Sequence, residues 1–110
     1  MSEREERIAR NEALFRQVNE RLEELQEPNS SLVEQASFIC ECGRASCTEH
    51  ITMSLGEYER LRADPVLFAV VGGHETPDVE DIVDRREGYD VVRKHPGAAA
   101  AIAEEADPRD

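Results

Sequence analysis

Cys40-Glu41-Cys42-Gly43-Arg44-Ala45-Ser46-Cys47, with His50 following Cys47 at C-x2-H spacing, is the stretch that decides how the rest of the chain is read. A tetrahedral zinc ion wants four ligands and holds its sulfurs about 3.8 Å apart. Cys40 and Cys42 sit on one face of a strand, because side chains alternate, so they converge only if the strand bends. Gly43 is placed to allow the bend. Ser46 and the backbone N–H groups of the 43–47 turn are candidate donors to the sulfurs. Three ligands are therefore motivated, and the fourth is open among His50, His74 and His95. His50 is nearest but shares a strand face with the polar Thr52 and Ser54. His74 follows two glycines in Gly72-Gly73-His74-Glu75, a turn able to carry an imidazole to a distant cluster, with Glu75 as a candidate outer acceptor for its ring. His95 precedes Pro96 and reads as a surface residue. Three thiolates and one neutral imidazole would make a closed structural Zn2+ site with no position for water. The plainer alternative is three buried thiols without metal, and a C-x-C pair is also a candidate for reversible oxidation.

The composition gives such a staple a reason. The chain has 110 residues, no Trp, two Tyr and three Phe, enough for one domain with a thin core. Small cores of that kind gain from a metal or a partner subunit. With 13 basic and 25 acidic residues the formal charge is −12, which argues against a nucleic-acid backbone as the main ligand. No apolar run exceeds the six residues of Val66 to Val71, far short of the roughly 20 a membrane helix needs. The charged start from Met1 to Arg10 does not resemble a signal peptide, and the odd number of thiols fits metal or thiol chemistry better than a disulfide framework. Together these read as a cytoplasmic protein.

Outward from the cluster, the chain reads as α+β: a long N-terminal amphipathic helix, then a small zinc-stapled antiparallel β domain with short helices. Ser2 and Glu5 form a capping box that opens a helix over residues 2–27. Ile8, Phe15, Val18, Leu22 and Leu25 fall at a/d heptad positions with Asn11 among them, a pattern suited to packing on the chain's own domain or to a homodimer through residues 8–25. Glu3–Arg7, Glu6–Arg10 and Glu12–Arg16 stand at i,i+4. Pro28 to Ser31 break the helix, and 28–36 reads as a linker. The 37–95 segment is the expected zinc domain. It holds strands from Ser37 to Cys42 and from His50 to Leu55, and a helix from Leu55 to Ala63 capped by Ser54 and Glu57. Val66 to Val71 reads as a buried central strand, and a hairpin over Val79–Arg86 and Tyr89–Lys94 follows. Residues 96–110 carry a short Ala-rich helix and a frayed Asp107-Pro108-Arg109-Asp110 tail. Tyr58 and Arg62, at i,i+4 on the short helix, suit helix surface and core, or an interface if exposed.

Asn11 to Glu23 (N-E-A-L-F-R-x-V-N-E-R-x-E), Phe38 to Cys47 (F-x-C-E-C-x4-C), Glu57 to Arg62 (E-Y-E-x-x-R), Gly73 to Glu75 (G-H-E) and Asp107 to Arg109 (D-P-R) occur together over most of the chain. This joint pattern resembles that of an uncharacterised family of small acidic proteins of actinobacterial type. The resemblance implies a shared fold and no particular activity. It favours His74 as fourth ligand, since G-H-E belongs to the pattern and His50 and His95 do not. The expected metal set is then Cys40, Cys42, Cys47 and His74. The expected function is a zinc-stabilised interaction module for a basic protein or a second copy, without direct nucleic-acid or membrane binding. A thiol/zinc redox sensor is the alternative, and a small metal-dependent hydrolase the less favoured one. Residues 28–110 hold eight basic and 17 acidic residues, so this part carries most of the negative field.

Overall fold

Ser2 and Glu5 close their capping box in both directions, at 3.1 and 3.0 Å, and start helix α1 (Glu3–Gln26). The computed structural model describes residues 2–26 and 35–109, so most of the expected 28–36 linker lies outside the described residues. The chain continues as β1 (Ala36–Ile39), β2 (His50–Met53), α2 (Leu55–Arg62), β3 (Leu67–Val70), β4 (Glu80–Arg86), β5 (Tyr89–Lys94) and α3 (Ala98–Glu105). Two antiparallel sheets result, β1-β2 and β3-β5-β4, so the architecture is α+β. Ser54 caps α2 with Glu57 completing the reciprocal box.

The Val66–Val71 run does not become a central strand. β5 is central and β3 lies at the sheet edge. Its apolar character survives because that edge is covered. The Glu41 N–H donates to the Ala69 carbonyl at 2.8 Å, the Ala69 N–H donates to the Glu41 carboxylate at 3.0 Å, and the Val71 N–H donates to the Cys40 sulfur at 3.2 Å. Covering an edge satisfies backbone groups that would otherwise recruit another strand. The segment between the first two thiols thus joins the two sheets.

Glu41 is fully buried and is the hub of that junction. Its carboxylate accepts from both Arg62 terminal nitrogens, at 3.2 and 3.0 Å, and from the Asn19 amide at 2.8 Å. Arg62 also donates to the Leu67 carbonyl at 3.0 Å. Tyr58, one turn earlier on α2, stacks on Phe38 of β1 at 4.3 Å between centroids and donates to Glu20 at 3.1 Å. Tyr58 and Arg62 are both buried, so the interface reading of this pair does not hold. Their contacts fasten α2 to β1, β3 and α1.

The heptad stripe is only partly the face α1 buries: Ile8, Phe15 and Leu22 are half-buried. Val18 and Leu25 are 39% and 69% exposed, Leu14 is 54% exposed, and the fully covered positions are Ala9, Glu12, Ala13, Arg16 and Asn19. The reason lies in what the helix covers. Asn19 both donates to and accepts from the Ile39 backbone, at 2.9 and 2.8 Å, and Asn11 donates to the Cys42 carbonyl at 3.3 Å. Arg16 donates to the Pro65 and Ala103 carbonyls at 2.5 and 2.7 Å, and Glu12 pairs with Lys94. Open carbonyls and a buried ammonium need polar partners, and an apolar seam would leave them unpaired. Of the i,i+4 pairs expected on α1, Glu6–Arg10 forms at 3.1 Å, whereas Glu12 and Arg16 are drawn apart into the core.

The 107–109 tail is not frayed. Arg109 donates to Glu20, Glu23 and Glu59 at 2.5 to 3.0 Å, tying the tail to α1 and α2. Burial, with a hydrogen bond to Glu59, raises Glu23 to about 8, while Arg109 and Glu23 pull Glu59 down to about 2.

Removing one partner of a buried ion pair leaves the other uncompensated, so Glu41→Ala is expected to destabilise the protein by about 3–5 kcal/mol, measured by urea unfolding. Glu23 binds its proton more tightly folded than unfolded. Its contribution is therefore complete below its ordinary value of 4.5 and is lost as pH rises towards 8, the opposite window to Glu59. Glu23→Gln should flatten the decline in Tm from about pH 5 to 8 and leave the variant more stable than the parent at the upper end.

Candidate metal centre

Cys40 and Cys42 follow β1, Cys47 follows a turn in which its N–H donates to the Arg44 carbonyl at 3.0 Å, and His74 ends a turn after β3 closed by its own N–H to the Val71 carbonyl at 2.9 Å. Gly73 adopts φ +89° in that turn, a conformation that favours glycine. Gly43 serves differently from the expectation. It is not in the left-handed region; it lies against α1, where an added methyl group would overlap the Ile8 side chain. At this one point of contact, Gly43 and Ile8 are packed without space for a Cβ between them.

These elements bring Cys40, Cys42, Cys47 and His74 together, with their ligand atoms all within 4.8 Å of one another. His74 Nδ1 lies 3.6 Å from Cys40 Sγ and 3.7 Å from Cys47 Sγ. The edges of a tetrahedral thiolate–imidazole site are about 3.5–3.8 Å, so these four donors could hold one metal ion. Cys40 and Cys42 are buried, while Cys47 and His74 are half-buried. His50 is exposed at the start of β2, and His95 lies 3.2 Å from Asp81; neither belongs to the cluster.

The sulfurs differ in proton affinity. Cys40 is pushed up, first by donating to Cys42 and then by burial, whereas Cys42, accepting from Cys40 and from the Arg44 N–H, falls to about 4. Burial raises Cys47, opposed by a hydrogen bond from the Glu49 N–H. Backbone donors from Val71, Arg44 and Glu49 thus surround the sulfurs, one to each thiol, as negative ligands require. Ser46 and Glu75 do not take the roles expected of them. Among the described residues Ser46 makes no hydrogen bond to a sulfur, and Glu75 makes none to His74. Glu75 Oε1 is buried without a hydrogen-bond partner.

Sequence reasoning missed the charged groups around the centre. Glu41 was visible only as the middle letter of C-E-C. Lys94 is buried between Glu12 and Glu80, with its Nζ 4.8 Å from the centre of the Phe68 ring. No sequence signal flags Lys94: it shares a strand face with Asp90 and Val92, which reads as polar although all three are buried.

No protein-family model, curated protein or solved structure matches the chain. His74→Ala is expected to lose stoichiometric metal, while His50→Ala and His95→Ala keep one ion per chain. Elemental analysis of dialysed protein checks this, and metal retained by His74→Ala would remove His74 from the donor set.

Proposed function

We propose that the chain is a zinc-stabilised interaction module of the cytoplasm, in which Cys40, Cys42, Cys47 and His74 hold one structural Zn2+. The observation carrying this reading is the closed donor set: three sulfurs and one imidazole nitrogen within 4.8 Å, two of the thiols buried. Three soft thiolates and one imidazole match the donor preference of zinc. They also leave no fourth position for a water, which weighs against the hydrolase reading. Among the described residues no helix is long and apolar enough to cross a membrane. A reducing cytoplasm would keep the thiols available as ligands.

The proposed partner surface has two parts. Val18 and Leu25 stand exposed along α1, a line that a second copy or a partner helix would cover. The acidic 28–110 segment offers a negative field to a basic protein.

Redox sensing is the second reading, favoured by the half-buried Cys47 standing within reach of two further free thiols, with which an oxidised sulfur could condense. The discriminating measurements are native mass spectrometry and thermal melts. One zinc per chain is expected, and a strong chelator should lower Tm by more than about 10 °C. A melt unmoved by chelation would overturn the structural role. Zinc released by mild peroxide with a change in oligomeric state would favour the sensor, and unchanged zinc content would dismiss it.

A further inference from the structure

A cleft of about 840 Å³ opens between the N-terminal half of α1 and the Gly43–Ala45 turn, with residues 75–78 as its third wall. It lies outside the metal donor set. Four arginines line it: Arg4, Arg7, Arg10 and Arg44. Arg4 pairs with Asp78 across the cleft and Arg10 with Glu6, but Arg7 and Arg44 have no ion pair or side-chain hydrogen bond among the described residues. In a chain with 25 acidic against 13 basic residues, two unpaired guanidinium groups facing one cleft run against the composition. The floor is apolar, formed by Ile8, Leu14 and Pro77. Glu75 supplies a fourth feature, a carboxylate oxygen buried at the cleft wall with no donor.

We propose that this cleft binds a small organic oxyanion, a phosphate or carboxylate on an apolar body that also carries a hydrogen-bond donor. The planar guanidinium forks of Arg7 and Arg44 can each pair with two oxygens of a phosphate or a carboxylate. The apolar body covers Ile8 and Leu14, and the donor satisfies Glu75, whose isolation is otherwise costly. The volume lies in the range of small-molecule sites, roughly 300–1,000 Å³. A long polyanion such as a nucleic acid is disfavoured, because Glu3, Glu5 and Glu6 flank the arginines on α1 and repel an extended phosphate backbone.

The test is a two-dimensional amide NMR titration of the metal-loaded protein with 4-aminophenyl phosphate, with 4-aminobenzoate, and with aniline as the neutral counterpart. Saturable shifts at Arg7, Gly43 to Ala45 and Thr76 are expected with an anion and not with aniline, and the tighter of the two anions identifies phosphate or carboxylate as the headgroup. Arg7→Ala with Arg44→Ala should weaken binding at least about tenfold, with Tm and metal content unchanged. Arg7→Ala alone, on α1 and outside the thiol-bearing segment, carries the test if Arg44→Ala alters metal content. No saturable shift with either anion to about 10 mM, equal shifts with aniline, or undiminished affinity in the variants would overturn the proposal.

Discussion

Glu41 and Arg62 are both removed from water, and a lone buried charge of either sign costs on the order of several kcal/mol. Everything around them is arranged to meet that cost. Two guanidinium nitrogens, the Asn19 amide and the Ala69 N–H converge on one carboxylate, while the Leu67 carbonyl takes a further guanidinium proton. The partners come from three elements, so satisfying the pair positions α1, α2 and β3 at once. Because Glu41 stands between Cys40 and Cys42, the same pair sets the chain direction at which the first two sulfurs leave β1. Two of the four candidate metal donors, Cys40 and Cys42, thus flank an ion pair that belongs to the protein itself.

Around Phe68, too, charges stand where apolar residues are ordinarily expected. Phe68 is fully buried with Arg16, Lys94 and Arg62 within 4.7 to 5.7 Å of its ring centre, a set of cation–π contacts in a protein with no Trp. Lys94 is enclosed by Glu12 from α1 and Glu80 from β4, and burial draws its ammonium down to about 7. Such a core trades apolar area for directional bonds, which fix one arrangement rather than many.

This explains what was legible in the sequence. Elements defined by local chemistry were readable: the Ser2 and Ser54 capping boxes, the Glu87-Gly88 turn of the β4–β5 hairpin, and three clustered thiols. The fourth donor was ambiguous, because C-x2-H spacing makes His50 look near while its strand faces it outwards; only the chain path through Gly73 brings His74 in. Hydrophobic periodicity finds only the half-buried part of the packed face of α1, since it gives the buried Glu12, Arg16 and Asn19 the wrong sign. It also placed Val66–Val71 at the sheet centre, because a continuous apolar run reports burial and not hydrogen-bonded neighbours. Arg109 looked like a frayed end because its three acidic partners lie 50 to 89 residues away.

The polar face of α1 also bears on the order in which the chain assembles. Glu12, Arg16 and Glu20 find their partners in Lys94, Ala103 and Arg109, 82 to 89 residues later. On a ribosome, α1 emerges well before any of them exists. Its capping box and its Glu6–Arg10 and Arg21–Glu24 pairs are what it has to hold itself helical in that interval. Asn19 can meet Ile39 and Glu41 early, but completing the docking of α1 waits on these long-range partners, and contacts of that kind slow folding. Until it occurs, the carbonyls of Pro65 and Ala103 and the Lys94 ammonium stay open to water, a cost of delay that an apolar seam would not incur.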